Sequence, residues 1–209
     1  KIGDELKKKA LRLLLPYFIY SFLTLGPKLV LTGFVNHPVE ASEIGLVFLG
    51  KSPNGGMWFL WHLFVISMIY LLAFKLMKNL GRKTKLIITL VLGVVFYLIY
   101  LFCSGSFLDN TLKFTVFFAI GIAANQYYDR IVRLLKMPVA IFAIAVTITL
   151  ACPFFDINRN MIYILTGILG LYGFYTIGYK LSISKSLKVK KVFEMLGTYS
   201  YDIYLLSYF

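Results

Sequence analysis

Seven runs of mostly apolar residues, separated by short polar loops, leave this chain one broad way to fold. A helix needs about 20 apolar residues to cross the hydrocarbon of a bilayer. Runs of that order lie at Leu13–Leu31, Met57–Leu76, Leu86–Cys103, Leu112–Tyr127, Met137–Cys152 and Met161–Tyr179. A seventh begins near Val192 and is cut off at Phe209. The fourth is short, so it is expected to be less tilted or partly shielded from lipid. Backbone groups in lipid must find partners within their own segment, and the runs lack the alternation of a barrel. The predicted fold is therefore all-α: a polytopic transmembrane helical bundle of six complete spans plus a truncated seventh. Composition agrees, with 59% apolar and 15% charged residues. Soluble domains average about 45–50% and about 25%.

The basic residues alternate from one side of these runs to the other. Lys1, Lys7, Lys8, Lys9 and Arg12 precede the first run, and Lys75, Lys78, Arg82, Lys83 and Lys85 follow the second. Arg130, Arg133 and Lys136 follow the fourth, and Lys180, Lys185, Lys188, Lys190 and Lys191 follow the sixth. The opposite set holds Lys28, Lys51, Lys113 and Arg159. Eighteen of the 22 basic residues thus share one side, which the positive-inside rule makes cytoplasmic. The net charge of +13 is consequently a topology signal. A nucleic-acid binder would gather these charges on one soluble face, so nucleic acid is not an expected partner.

No cleavable signal sequence is visible, because Lys1-Ile2-Gly3-Asp4-Glu5 is charged and runs straight into a span. The chain opens without Met and closes within an apolar run, so it is expected to be part of a longer protein and inactive alone. All 209 residues read as a single membrane domain, with no soluble linker and no internal repeat. The longest outer connection, Thr32–Gly56, has a mildly amphipathic middle at Ala41–Leu49. That stretch could lie in the interface or dip back into the protein.

Several constellations could carry chemistry. Lys9 and Arg12 are three apart, so they share a helix face at the cytoplasmic mouth, where paired cations suit a phosphate-rich ligand. Positive-inside anchoring on anionic membrane lipids accounts for them equally simply. Asn54-Gly55 signals a turn before Trp58-Phe59-Leu60-Trp61-His62. The tryptophans suit an outer interface, and His62 lies about one turn deeper. An ionisable side chain inside a span is a candidate general base, or a sugar ligand, unless a neighbouring helix simply satisfies it. His37, Glu40 and Glu43 form an outer-loop trio that any wet loop could also contain. Asp202, with Tyr201, Tyr204 and Tyr208 at helical spacing, suggests an interior polar seam or interfacial anchoring. Gly167, Gly170, Gly173 and Gly178, with Thr166, suggest close helix packing. Cys103 and Cys152 both fall at outer span ends; a disulfide is conceivable there, and free thiols are the simpler expectation. No Cys/His spacing suits a metal.

Four stretches, in order along nearly the entire chain, resemble the membrane acyltransferase-3 family, bacterial O-acyltransferases of cell-surface glycans. Lys9-Ala10-Leu11-Arg12 before Leu13-Leu14-Leu15-Pro16-Tyr17 resembles its R-x-x-R segment and the apolar Pro-Tyr run that follows. Trp58-Phe59-Leu60 resembles its W-[FY]-L span start, and Phe117–Ile122 its F-x-x-G-I span. Leu196-Gly197-Thr198-Tyr199-Ser200-Tyr201-Asp202-Ile203-Tyr204-Leu205-Leu206 resembles its closing L-G-x-x-S-x-x-I-Y-L-x-H. Lys9 replaces the first arginine, and Ser207 stands where histidine is frequent. The pattern is closest to the fucose 4-O-acetylase-like subgroup.

The resemblance implies transfer of an acyl group, usually acetyl, from cytoplasmic acyl-CoA to a hydroxyl of an extracytoplasmic surface or lipid-linked glycan. Acyl-CoA, in the first place acetyl-CoA, would be a donor substrate, with no bound cofactor. Lys9 and Arg12 would hold the donor. Asn54, Trp58, Trp61 and Asp202 would face the acceptor, and His62 would be the catalytic candidate, although the family's essential histidine is expected upstream of Lys1. The protein would sit in a bacterial inner membrane with its Lys1 end cytoplasmic. A transporter or flippase for a lipid-linked glycan is the alternative, and it would call for inverted repeats and broken helices. A sensor or interaction module has little cytoplasmic loop to work with.

Overall fold

The computed structural model describes residues 2–30, 44–51, 56–103, 105–130, 144, 146–148, 159–183 and 187–206. Every element among them is helical: α1 (Ile2–Lys9), a π-helical turn (Ala10–Leu14), α2 (Leu15–Val30), α3 (Ile44–Val47), α4 (Trp58–Leu76), α5 (Arg82–Phe102), α6 (Asp109–Gln126), α7 (Arg159–Ser182) and α8 (Leu187–Leu206). Three helices are long and apolar enough to cross a membrane: Gly3–Val30, Trp58–Leu76 and Arg82–Phe102. The expected fourth, sixth and seventh runs are helical as α6, α7 and α8. The fifth, Met137–Cys152, lies almost wholly outside the described residues.

The first span begins earlier than its apolar run suggests. Helix continues through the basic turn, so Gly3–Val30 is 28 residues long. At 1.5 Å per residue that is about 42 Å, against roughly 30 Å of hydrocarbon, which leaves charged N-terminal turns beyond the lipid. Pro16 explains the break in regularity. It has no N–H to donate to the carbonyl of Arg12 four residues back, and its ring crowds that carbonyl. The helix widens locally, and the Leu15 N–H donates to the Ala10 carbonyl five residues back.

The chain forms two compact units, residues 1–118 with 201–209, and residues 119–200. In the first, Leu13, Tyr17, Val47, Met57 and Leu60 make a buried cluster. The long connection after α2 thus dips back into the protein. The Tyr17 hydroxyl donates to the Val47 carbonyl at 2.6 Å. Gly50 ends the turn after α3 with φ +83°, a conformation suited to glycine, and the Trp61 ring lies over it. Further along, the Tyr70 hydroxyl faces the carbonyls of Thr115 at 3.2 Å and Thr89 at 3.4 Å, tying α4 to α6 and α5. Asp109 accepts the backbone N–H groups of Gly105 and Ser106 at 2.8 and 3.0 Å, which organises the connection into α6.

In the second unit, the Thr176 hydroxyl donates to the Tyr172 carbonyl at 2.8 Å within α7. A Cβ at Gly170 or Gly178 would meet nothing within 4 Å, so close helix contact is not what those two glycines serve among the described residues. Cys103 is exposed with a free thiol, and Cys152 lies outside the described residues.

A Cβ at Gly50 would come within 2.7 Å of the Trp61 ring. Gly50→Ala should cost roughly 1–3 kcal/mol, from the left-handed backbone and the overlap together. Thermal unfolding in detergent measures this, with Gly45→Ala as the control, since its Cβ would meet nothing within 4 Å.

Candidate active site

The start of α4 carries an aromatic box around a histidine. Helical spacing places Trp58 and His62 on one face, with ring centres 5.7 Å apart, and Trp61 lies on the other side at 5.1 Å. Phe114 of α6 stacks on Trp58 at 5.5 Å. His62 is 3% exposed, and its Nδ1 lies 2.7 Å from the hydroxyl oxygen of Thr111, itself 2% exposed. An imidazole among apolar rings needs such a partner, because an unpaired buried polar group is costly. Among the described residues Thr111 is its hydrogen-bond partner, through Nδ1. Thr111 is held in turn by its place in α6, where the Thr115 hydroxyl donates to the Thr111 carbonyl.

The cations Lys9 and Arg12 sit where the π-helical turn begins and bulges. Lys9 is half-buried and Arg12 exposed. Among the described residues neither Lys9 nor Arg12 forms a salt bridge with a carboxylate. The Arg12 guanidinium lies 5.9 Å from the centre of the Tyr201 ring, within cation–π range. The Tyr201 hydroxyl donates to the Arg12 carbonyl. One turn along α8, the Tyr204 hydroxyl donates to the carbonyl of Gly56, just before α4.

The expected separation of a cationic mouth from an aromatic outer end does not describe this arrangement. The π-helical turn lies directly against α4. Leu13 and Tyr17 share one core with Met57 and Leu60, and Trp61, Tyr201 and Tyr204 pack against it. The reason is the dip of the connection after α2, whose Val47 reaches Tyr17. Asp202 is exposed, whereas Tyr201 and Tyr204 turn inward. Asn54, His37, Glu40, Glu43 and Tyr208 lie outside the described residues. Among the described residues no group of three His, Cys, Asp or Glu side chains could hold a metal ion.

Thr111 was not legible as a site residue. Its signal is faint: a threonine at the start of an apolar run, repeated four residues later at Thr115. Pro16 was more legible, since its spacing from Arg12 marks the carbonyl that a helix leaves bare.

The family model described as an acyltransferase domain, that of acyltransferase 3, matches residues 4–209. The chain belongs to the acyltransferase-3 family, as the four ordered motifs indicated. Its apolar helices and this membership together mark an acyltransferase of multi-pass membrane type. No curated protein and no solved structure matches it.

Thr111→Val should leave His62 Nδ1 buried without a partner and cost about 1–3 kcal/mol. Thr111→Ser keeps the hydroxyl and should recover most of that loss. Unfolding midpoints of the two variants in detergent decide the matter.

Proposed function

We propose that this chain is the acyl-transferring membrane domain of an O-acyltransferase. It moves an acyl group, acetyl in the first place, from cytoplasmic acyl-CoA to a hydroxyl of a surface or lipid-linked glycan. The observation that carries this reading is the meeting of the Arg12-bearing turn and the start of α4 in one buried core. Direct transfer requires donor and acceptor within reach of one another. A cationic feature and an aromatic, histidine-containing feature in contact suit that requirement.

Lys9 and Arg12 bind the phosphates of the donor, Arg12 through its fork of N–H groups and Lys9 as a point charge. Trp58 and Trp61 offer apolar ring surface to a sugar, with Asn54 and Asp202 as hydrogen-bonding groups. His62 is the general base. In the tautomer that places the proton on Nδ1, that N–H donates to Thr111 and Nε2 keeps its lone pair. Nε2 takes the proton of the acceptor hydroxyl as its oxygen forms a bond to the thioester carbonyl carbon. The C–S bond then breaks, and the imidazolium returns the proton to the departing thiolate. The products are the glycan ester and free CoA.

The remaining features follow the same reading. The domain crosses a bacterial inner membrane six times with a seventh span beginning at α8, Lys1 end cytoplasmic, among membrane lipids. The side with eighteen basic residues then faces the compartment that holds acyl-CoA, and the contact of the Arg12-bearing turn with Met57 and Leu60 requires the start of α4 to reach the depth of that turn rather than to sit at an outer span end.

Lys9→Ala and Arg12→Ala in the full-length protein should each lower acyl-CoA-dependent glycan acylation at subsaturating donor by about tenfold, the worth of a lost charge-assisted contact. His62→Gln should lower the maximal rate by about a hundredfold with donor binding unchanged. The measurement is transfer of labelled acetyl from acetyl-CoA to membrane glycan. Full activity in the Lys9 and Arg12 variants would remove the donor role.

A further inference from the structure

Resting on the reading of Arg12 as a donor-site cation, we propose that Tyr201 is a positioning residue for that site, so that the end of α8 sets donor affinity. Two contacts from one side chain converge on Arg12. The Tyr201 hydroxyl donates to its backbone carbonyl, across 189 residues of sequence. The face of the same ring lies 5.9 Å from the guanidinium carbon. The carbonyl is available because Pro16, four residues on, has no N–H to offer it. The Leu15 N–H is committed elsewhere, to Ala10. The carbonyl of Arg12 therefore lacks the i+4 donor of an ordinary helical residue, and Tyr201 supplies one from outside the helix.

The consequence is specific to a cation that must present a planar fork. Arg has rotamer freedom to lose when it binds two phosphate oxygens. A carbonyl pinned by the hydroxyl and a guanidinium set beside the ring remove part of that freedom in advance. Tyr204 braces the same end of α8 on the Gly56 carbonyl, so Tyr201 itself is held from the start of α4. Tyr201 touches no reacting atom in this scheme and acts through Arg12 alone.

The test is equilibrium binding of labelled acetyl-CoA to the full-length protein in detergent, scoring Kd and the number of sites separately. Tyr201→Phe keeps the ring and loses the hydroxyl; Tyr201→Ala loses both. Expected are a rise in Kd of about fivefold for Tyr201→Phe, the equivalent of one hydrogen bond, and a larger rise for Tyr201→Ala, with the number of sites unchanged. In an Arg12→Ala background Tyr201→Phe should change Kd less than about twofold, because the pair then no longer couples. A fall in the number of sites at constant Kd means that Tyr201 only supports folding, and overturns the proposal. So does an equal Tyr201→Phe effect with and without Arg12. If Arg12→Ala raises Kd while Tyr201→Phe does not, the donor reading stands and this inference falls. If Arg12→Ala leaves Kd unchanged, both fall.

Discussion

Tyrosine hydroxyls that reach backbone carbonyls of other segments hold the first unit together. Tyr17 donates to Val47, Tyr70 reaches Thr89 and Thr115, Tyr201 donates to Arg12, and Tyr204 donates to Gly56. In an apolar surrounding an unpaired carbonyl costs far more than it does in water. A tyrosine suits the task because its ring packs with the apolar side chains while its hydroxyl reaches past them. Each such bond joins segments distant in sequence and sets their depth relative to one another.

The site depends on these tethers. Tyr17 on Val47, together with Phe48 against Phe18 and Phe22, holds the connection after α2 against the first helix. Met57 and Leu60 pack on Leu13, and the histidine box at the start of α4 adjoins the turn that carries Arg12. The π-helical turn makes the same point from the other side. A proline that spoils one intrahelical bond creates an acceptor, and a residue at the far end of the chain uses it. A local defect has become a tertiary contact.

Much of this was legible in advance. The helical runs at Met57–Leu76 and Leu86–Cys103 differ from α4 and α5 by a few residues, because hydropathy reads where lipid contact begins and not where helix begins. The first span shows the limit of that reading: Lys7 to Arg12 are too polar to count as a span, yet they form helix readily and extend it. Trp58, Trp61 and His62 were legible as a group because helical spacing puts them on neighbouring faces. Thr111 was not, since its importance comes from the packing of α6 against α4, and no local pattern records which helices are neighbours.

The sequence by itself determined that the chain is helical, membrane-embedded and a member of the acyltransferase-3 family. Those properties follow from hydropathy, from the alternation of basic loops, and from short motifs in a fixed order, all of which are linear. Only the tertiary structure decided that the cationic turn and the aromatic histidine box belong to one core. It also decided that Tyr201 serves Arg12, and that Asp202 beside it is exposed. These depend on which buried carbonyl each hydroxyl reaches, and that is a property of three-dimensional packing.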